Sequence, residues 1–347
     1  MRTHDVRTTD PAARVAADIQ LDVAAVTASD GGGGSGTISW SGTVSHGSVL
    51  TVSDSDSQFG VRVNTQPLYV NLGDGKAGSA LGRDTSDKFT GDTVYQTAVK
   101  HGQLPGATYI DHNSSSSSIW DAIVVPDGNK PIISYVERYY DFNIGDAAYQ
   151  GSLGFNLKPF RIWNDDSGIN NLYYGYQGAE SQNSCRYFVE NVWGGGADYY
   201  IAPQVDFAWF GESIVVENSG IGTANGAFEH ARANTILNDN LTPETRNSSN
   251  SGLLVKLNFD QVSNGAGQSS KTYLGYMIID DDYKAVYLGN AAARADCTRL
   301  VPQPQTAWAA GQIQFQVVEA DLAAADSYMY FRLTKDTWVS DTGVQLS

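Results

Sequence analysis

Cysteine is scarce. The two in the chain, Cys185 and Cys297, lie far apart, with no CxxC pair and no Cys/His cluster. That spacing argues against a thiolate-built metal site and leaves two free thiols or one long-range disulfide as alternatives. Positive charge is also short: 22 Lys and Arg stand against 38 Asp and Glu, for a formal net charge of −16. Such a surface does not attract phosphate backbones or anionic lipid, so neither nucleic acid nor membrane is an expected partner. The acidity either serves solubility or supplies carboxylates for cations or sugar hydroxyls. No apolar run approaches the roughly 18 residues of a membrane span. The first twenty positions lack the uninterrupted apolar stretch of a secretory signal. The expectation is a chain made in the cytoplasm, or a mature form whose signal has been removed.

The residues that are plentiful point one way. Gly 36, Tyr 19 and Trp 7, with hydrophobic content of 41% and charged content of only 17%, describe a folded chain of short strands and tight turns. A length of 347 residues would normally hold two domains. The fold class expected is all-β.

Residues 1–36 read as a separate arm. Val15, Ile19 and Val26 could share a helical face after the cap signal Asp10-Pro11, while Ile19, Leu21 and Val23 alternate as a strand, so the element type stays open. Gly31 to Gly36 then form a flexible hinge. A tethered, apolar-studded arm suits docking on a neighbouring subunit of a homo-oligomer or symmetric assembly; a frayed terminus is the alternative.

From Thr37 the strand signals begin. Ile38 and Trp40 lead through Gly42 and His46-Gly47 to Val49–Val52, and a polar loop closes on Phe59-Gly60. At the far end Ile313, Phe315 and Val317 alternate with glutamines, Met329, Phe331 and Leu333 alternate again, and Trp338 to Leu346 give a last short strand. The stretches 37–66 and 300–347 together approach one Ig-like sandwich, typically about 100 residues. Ile38…Gly42…His46-Gly47…Leu50-Thr51-Val52…Phe59-Gly60, with Trp308…Gln312–Val317…Tyr328–Phe331…Gly343, resembles an IPT/TIG-type Ig-like domain. It departs from that pattern where Asp54 to Gln58 replaces the usual Gly-rich approach to Phe-Gly.

Residues 67–299 would then be an insertion, with strand-like runs at Ile132–Tyr140, Gly154–Trp163, Leu172–Tyr176, Arg186–Val192, Gln204–Phe210, Ser213–Glu217, Leu253–Phe259, Lys271–Ile279 and Ala285–Leu288. Tyr135…Arg138-Tyr139-Tyr140-Asp141…Phe155-Asn156-Leu157-Lys158…Arg161-Ile162-Trp163 resembles concanavalin A-like lectin/glucanase jelly-roll sandwiches, as does Trp209…Glu212. The resemblance implies a fold, not one activity.

Catalytic patterns are incomplete. Laminarinase-type members of that fold use Glu-x-Asp-x-x-Glu on one strand, but the nearest segment here reads Gln204-Val205-Asp206-Phe207-Ala208-Trp209, without the two glutamates a retaining hydrolase needs. A polysaccharide lyase needs less, namely a Tyr or His base and cations to neutralise a uronate. Tyr139, Tyr140, Arg138, Lys158, Arg161 and His230 could gather for this on one sheet face, although His230 alternates along a strand as structural histidines do. Asp280, Asp281 and Asp282 follow an apolar strand and suit either a solvated turn or a Ca²⁺ site. Trp163, Tyr173, Tyr174, Tyr176 and Trp193 are the candidates for stacking on sugar rings.

The function expected is a non-enzymatic structural or binding component of a phage-like virion, such as a head decoration, fibre or tail-associated protein. It would contact other virion subunits through residues 1–36 and a host-surface glycan through the sandwich. A cell-surface carbohydrate-binding adhesin and a polysaccharide lyase are the alternatives.

Overall fold

The computed structural model describes residues 24–27, 37–62, 67–71, 79–80, 83–84, 93–96, 107–111, 117–125, 127–142, 155–164, 171–177, 184–190, 197–202, 205–240, 243–264, 271–318 and 327–346. Among them every sheet is antiparallel, and the helical content is a single short turn at Arg294–Asp296. The all-β class is therefore as expected. Among the described residues no helix is long and apolar enough to cross a membrane.

Two large sheets face each other. One has six strands in the order Ala197–Ile201, Ser184–Glu190, Asn171–Gln177, Phe155–Asn164, Leu254–Asn264, Ser117–Val124. The other has ten strands and is centred on Ile132–Tyr140, which lies between Trp209–Glu217 and Lys271–Asp280. Alternate residues from both sheets meet in one core: Val136 and Tyr140, Phe160 and Ile162, Ile214 and Val216, Leu257 and Phe259. The two-residue period of a strand puts the intervening residues on the outer faces.

The chain ends build a smaller sandwich. Val49–Asp54 pairs with Gln312–Gln316, so that Val52 lies opposite Ile313 and Leu50 opposite Phe315. Ile38, Trp40, Phe59, Val286, Phe331 and Val344 complete that core. Segments more than 250 positions apart thus share one sheet. Two details differ from the sequence reading. Ala285–Gly289 pairs with Leu300–Gln303 and Tyr328–Arg332, so it belongs to the small sandwich and not the large one. Ala24–Thr27 is an edge strand on Thr37–Ser41, which puts Val26 on a strand and not on a helix; the rest of residues 1–36, with Ile19, Leu21 and Val23, lies outside the described residues. The Asp54 carboxylate accepts from the backbone N–H groups of Asp56 (3.1 Å) and Gln58, and so closes the polar loop ahead of Phe59.

The small sandwich packs on the outer face of the ten-stranded sheet, where Val301 and Val318 meet Tyr135, Tyr276 and Ile278. Glu137 lies at that contact, fully buried. It accepts from Tyr135, from Tyr276 at 3.4 Å and from Arg299 at 3.2 Å. The two cysteines sit in separate cores and are free thiols.

Candidate functional site

The outer face of the six-stranded sheet gathers cationic and aromatic side chains. Arg161 stands opposite Tyr173 on one neighbour strand, and Trp163 stands opposite Asn171 there and Lys256 on the other. The Arg161 guanidinium lies 3.7 Å from the Trp163 ring centre and 5.7 Å from that of Tyr173, and its Nε donates to Asn171 Oδ1 at 2.8 Å. Lys158 Nζ lies 4.3 Å above the Tyr173 ring. Arg161 and Tyr173 are buried at the base of this group, and Lys158, Trp163 and Lys256 are the partly exposed members; the rings orient the cations and shield them from water, which strengthens their attraction for an anion.

A register shift makes room for Lys158. Leu157 pairs with Tyr176 and Phe160 with Tyr174, so Lys158 and Pro159 together oppose Gly175. Glycine is needed there: a Cβ at position 175 would lie 2.6 Å from the Leu157 carbonyl oxygen and 3.4 Å from Lys158 Cα.

Beneath this face, inside the sandwich, lies a buried polar network. Glu212 comes from the ten-stranded sheet at a phase otherwise apolar, between Phe210 and Ile214, and is 1% exposed. Its Oε1 accepts from Arg138 and from the Tyr174 hydroxyl of the facing sheet. Its Oε2 faces His230 Nε2 at 3.1 Å and Arg232 at 3.5 Å. An ionised carboxylate can only accept, so His230 donates through Nε2 and accepts at Nδ1 from the Tyr200 hydroxyl, 2.7 Å away. Burial, and then the charges of Arg232 and Arg138, hold the His230 ring well below its ordinary pKa, so it is neutral. Burial raises the tyrosines: Tyr176 goes to about 12 and Tyr174 and Tyr200 move well above their usual value, so all three remain protonated donors.

The sequence candidates therefore divide. Trp163 and Tyr173 share the outer face with Lys158 and Arg161. Tyr174 and Tyr176 do not, which corrects the expectation that they stack on a sugar: both are in the core, Tyr174 on Glu212 and Tyr176 with Arg232 (3.2 Å) and the Ala202 carbonyl (3.3 Å). Trp193 lies outside the described residues. The six residues considered for lyase chemistry do not gather on one face. Arg138 and His230 are interior, Lys158 and Arg161 lie on the outer face of the six-stranded sheet, and Tyr140 is in the core. Tyr139 lies on the outer face of the other sheet, beside Trp209.

Asp280, Asp281 and Asp282 hold cationic side chains. Asp280 pairs with the buried Arg62, Asp282 faces Arg62 Nε at 3.8 Å, and Asp281 binds Lys130 at 3.1 Å. These residues do not fit Ca²⁺, because the carboxylates already face a guanidinium and an ammonium that repel a metal. Among the described residues no three His, Cys, Asp or Glu side chains are grouped to hold a metal ion.

Reasoning from sequence missed Glu212 as the centre of the interior network. The signal was a carboxylate in the apolar phase of Phe210-x-Glu212-x-Ile214-x-Val216, matched by Arg138 between Val136 and Tyr140 and by His230 after Phe228.

No family model and no curated protein matches the chain. Solved structures do. An alginate lyase in complex with an alginate tetrasaccharide is 14% identical over 62% of this chain and 97% of that one, with a TM-score of 0.44. The marine PL-14 alginate lyase from Aplysia kurodai is 11% identical over 63% of this chain and 100% of that one, at 0.43. The endo-β-1,4-glucuronan lyase from Trichoderma reesei is 8% identical over 63% and 97%, at 0.43. At such identities and TM-scores the likeness assigns no activity. The all-β sandwich stands on the sheets described above.

Proposed function

We propose that the outer face of the six-stranded sheet binds an acidic glycan. The observation that carries this reading is the gathering of Lys158, Arg161 and Lys256 around Trp163 and Tyr173, on one face of a chain whose formal net charge is −16. Cations take uronate carboxylates while ring faces take the apolar side of the sugar. The solved structures similar to this chain include enzymes named for alginate and glucuronan, both acidic polysaccharides. Retention of polyuronate in affinity gels should be lost in Lys158→Ala and Arg161→Ala and should weaken steeply with salt. Retention that is equal in both variants and in the intact protein would refute the reading.

A lyase is the second reading, and the bulge favours it. Gly175 lets Lys158 lie close over the sheet. In β-elimination, a base takes the proton beside the carboxylate while a cation neutralises the charge that develops, and the glycosidic oxygen leaves. Growth of ultraviolet absorbance from unsaturated uronate would establish turnover; flat traces with bound polyuronate leave binding alone. The setting expected from sequence, a phage-like particle, has no counterpart among the comparisons. It rests on the tethered arm read from the sequence, and electron microscopy of the native assembly tests it.

A further inference from the structure

On the far side of the large sandwich, four aromatic residues stand in one row across four adjacent strands. Trp209 lies directly opposite Tyr139, Tyr139 opposite Tyr273, and Tyr273 opposite Tyr109. Their ring centres are 5.8, 5.8 and 5.6 Å apart. Packing between the two large sheets does not account for them: all four belong to the outer face of the ten-stranded sheet, and none is part of the core between the sheets. Trp209, Tyr139 and Tyr109 are half-buried, and Tyr273, between Tyr139 and Tyr109, is buried. The small sandwich covers the same sheet face at Tyr135, four residues or about 13 Å along the strand from Tyr139.

A second observation lies at the Trp209 end. Phe207, two residues before Trp209, is 59% exposed. It adopts a φ of +55°, a left-handed backbone that a bulky side chain rarely takes. Its N–H donates to the Tyr140 carbonyl at 2.9 Å, which ties that backbone to the end of the strand bearing Tyr139. An exposed aromatic held in a costly conformation marks a place where function, not packing, selects the residue.

We infer that this aromatic row is a second glycan site, for a neutral, unbranched hexose chain. One ring per strand gives a repeat of about 4.8 Å, close to that of a pyranose chain lying across the strands. Neighbouring rings are tilted to one another by 51°, 74° and 46°, so faces and edges alternate along the row as the apolar contact, with phenols and an indole N–H at hand for hydroxyls. Charge separates this ligand from that of the other face. The row itself is uncharged. At its edge Lys271, 5.0 Å from the Tyr109 ring, is next to Asp141, whose carboxylate accepts from the Lys271 backbone N–H at 2.6 Å. Among the described residues a polyuronate finds no cluster of cations here, whereas a neutral chain loses nothing by that. The inference does not depend on the acidic-glycan reading.

The test uses the full chain and neutral gluco-, manno- and galacto-oligosaccharides in isothermal titration, with polyuronate alongside. At least one neutral oligosaccharide should bind. Trp209→Ala and Tyr109→Ala, at the two ends of the row, should each weaken it roughly tenfold, while polyuronate binding is unchanged. Trp209→Leu, which keeps apolar volume, serves if the alanine variant fails to fold. The inference is overturned if the intact protein binds no neutral oligosaccharide, or if the end variants bind as it does. A change in sedimentation with no change in sugar binding would also overturn it, by making the row a protein contact. Lys158→Ala separates the two sites, since it should leave neutral binding intact.

Discussion

Arg138 reaches across the interior of the large sandwich and donates from Nη2 to the carbonyl oxygen of Pro159 on the facing sheet, at 2.7 Å. Pro159 is half of the bulge that presents Lys158, so the buried guanidinium supports the outer face from below. Glu212 holds that guanidinium, and Tyr174 ties Glu212 to the same sheet. The interior network and the cationic face form one mechanical unit.

Removing the centre of that unit should be costly. Glu212→Ala leaves Arg138 and Arg232 without their shared carboxylate. Breaking a buried pair in this way typically costs about 3–5 kcal/mol. Urea unfolding should show a lower midpoint for the variant, and an unchanged midpoint would mean that water or another group replaces the carboxylate.

The bulge can be probed separately. Gly175→Ala places a methyl group against the Leu157 carbonyl, which is backbone and cannot swing aside. A loss of about 1–3 kcal/mol follows from overpacking. Displacement of Lys158 should also weaken polyuronate binding more than the stability loss explains. Titration at a temperature where the variant is fully folded measures this directly.

Acidity should act on stability through His230. The native ring is neutral, with its pKa held well below 6.5, whereas the unfolded chain takes up a proton near 6.5. Its contribution is therefore full above that pH and is lost as pH falls below it. Asp280 has the opposite sign. Burial, outweighing Arg62, raises its carboxyl to about 6 from an ordinary 3.8. Its contribution is full at pH below 3.8 and is lost as pH rises through about 6. Melting temperatures across this range should flatten on the acid side in His230→Phe and lose the opposing slope in Asp280→Asn.

The two sandwiches should loosen when Glu137 is removed. Glu137→Ala strips the shared acceptor from Arg299, Tyr135 and Tyr276 at their contact. Calorimetry should resolve two transitions where the intact protein shows one, and proteolysis should cut first between the sandwiches.

Much of the fold was legible because strand alternation is a local signal. Ile132–Tyr140 was predicted with its observed ends, and Phe155–Asn164 and Lys271–Asp280 each to within one residue. The pairing of Val49–Asp54 with Gln312–Gln316 followed from complementary patterns at the two ends. Ser117–Val124 and Ala197–Ile201 were not predicted as strands, since serine-rich and mixed segments carry a weak two-residue period. Ala285–Gly289 was predicted as a strand but placed in the wrong sandwich. Its apolar run fits any buried strand, and only its partners decide which.

The site shows the same division. Sequence by itself determined that Trp163 and Tyr173 are ring-bearing strand residues next to cations, and that the hydrolase glutamates are absent. It could not say which of Tyr173, Tyr174 and Tyr176 face outward, because a shift of one residue in phase exchanges the two faces of a strand. Tertiary structure decided that, and it also decided that Arg138, Glu212 and His230 meet. Their meeting depends on strands far apart in the chain stacking face to face, which no local pattern encodes.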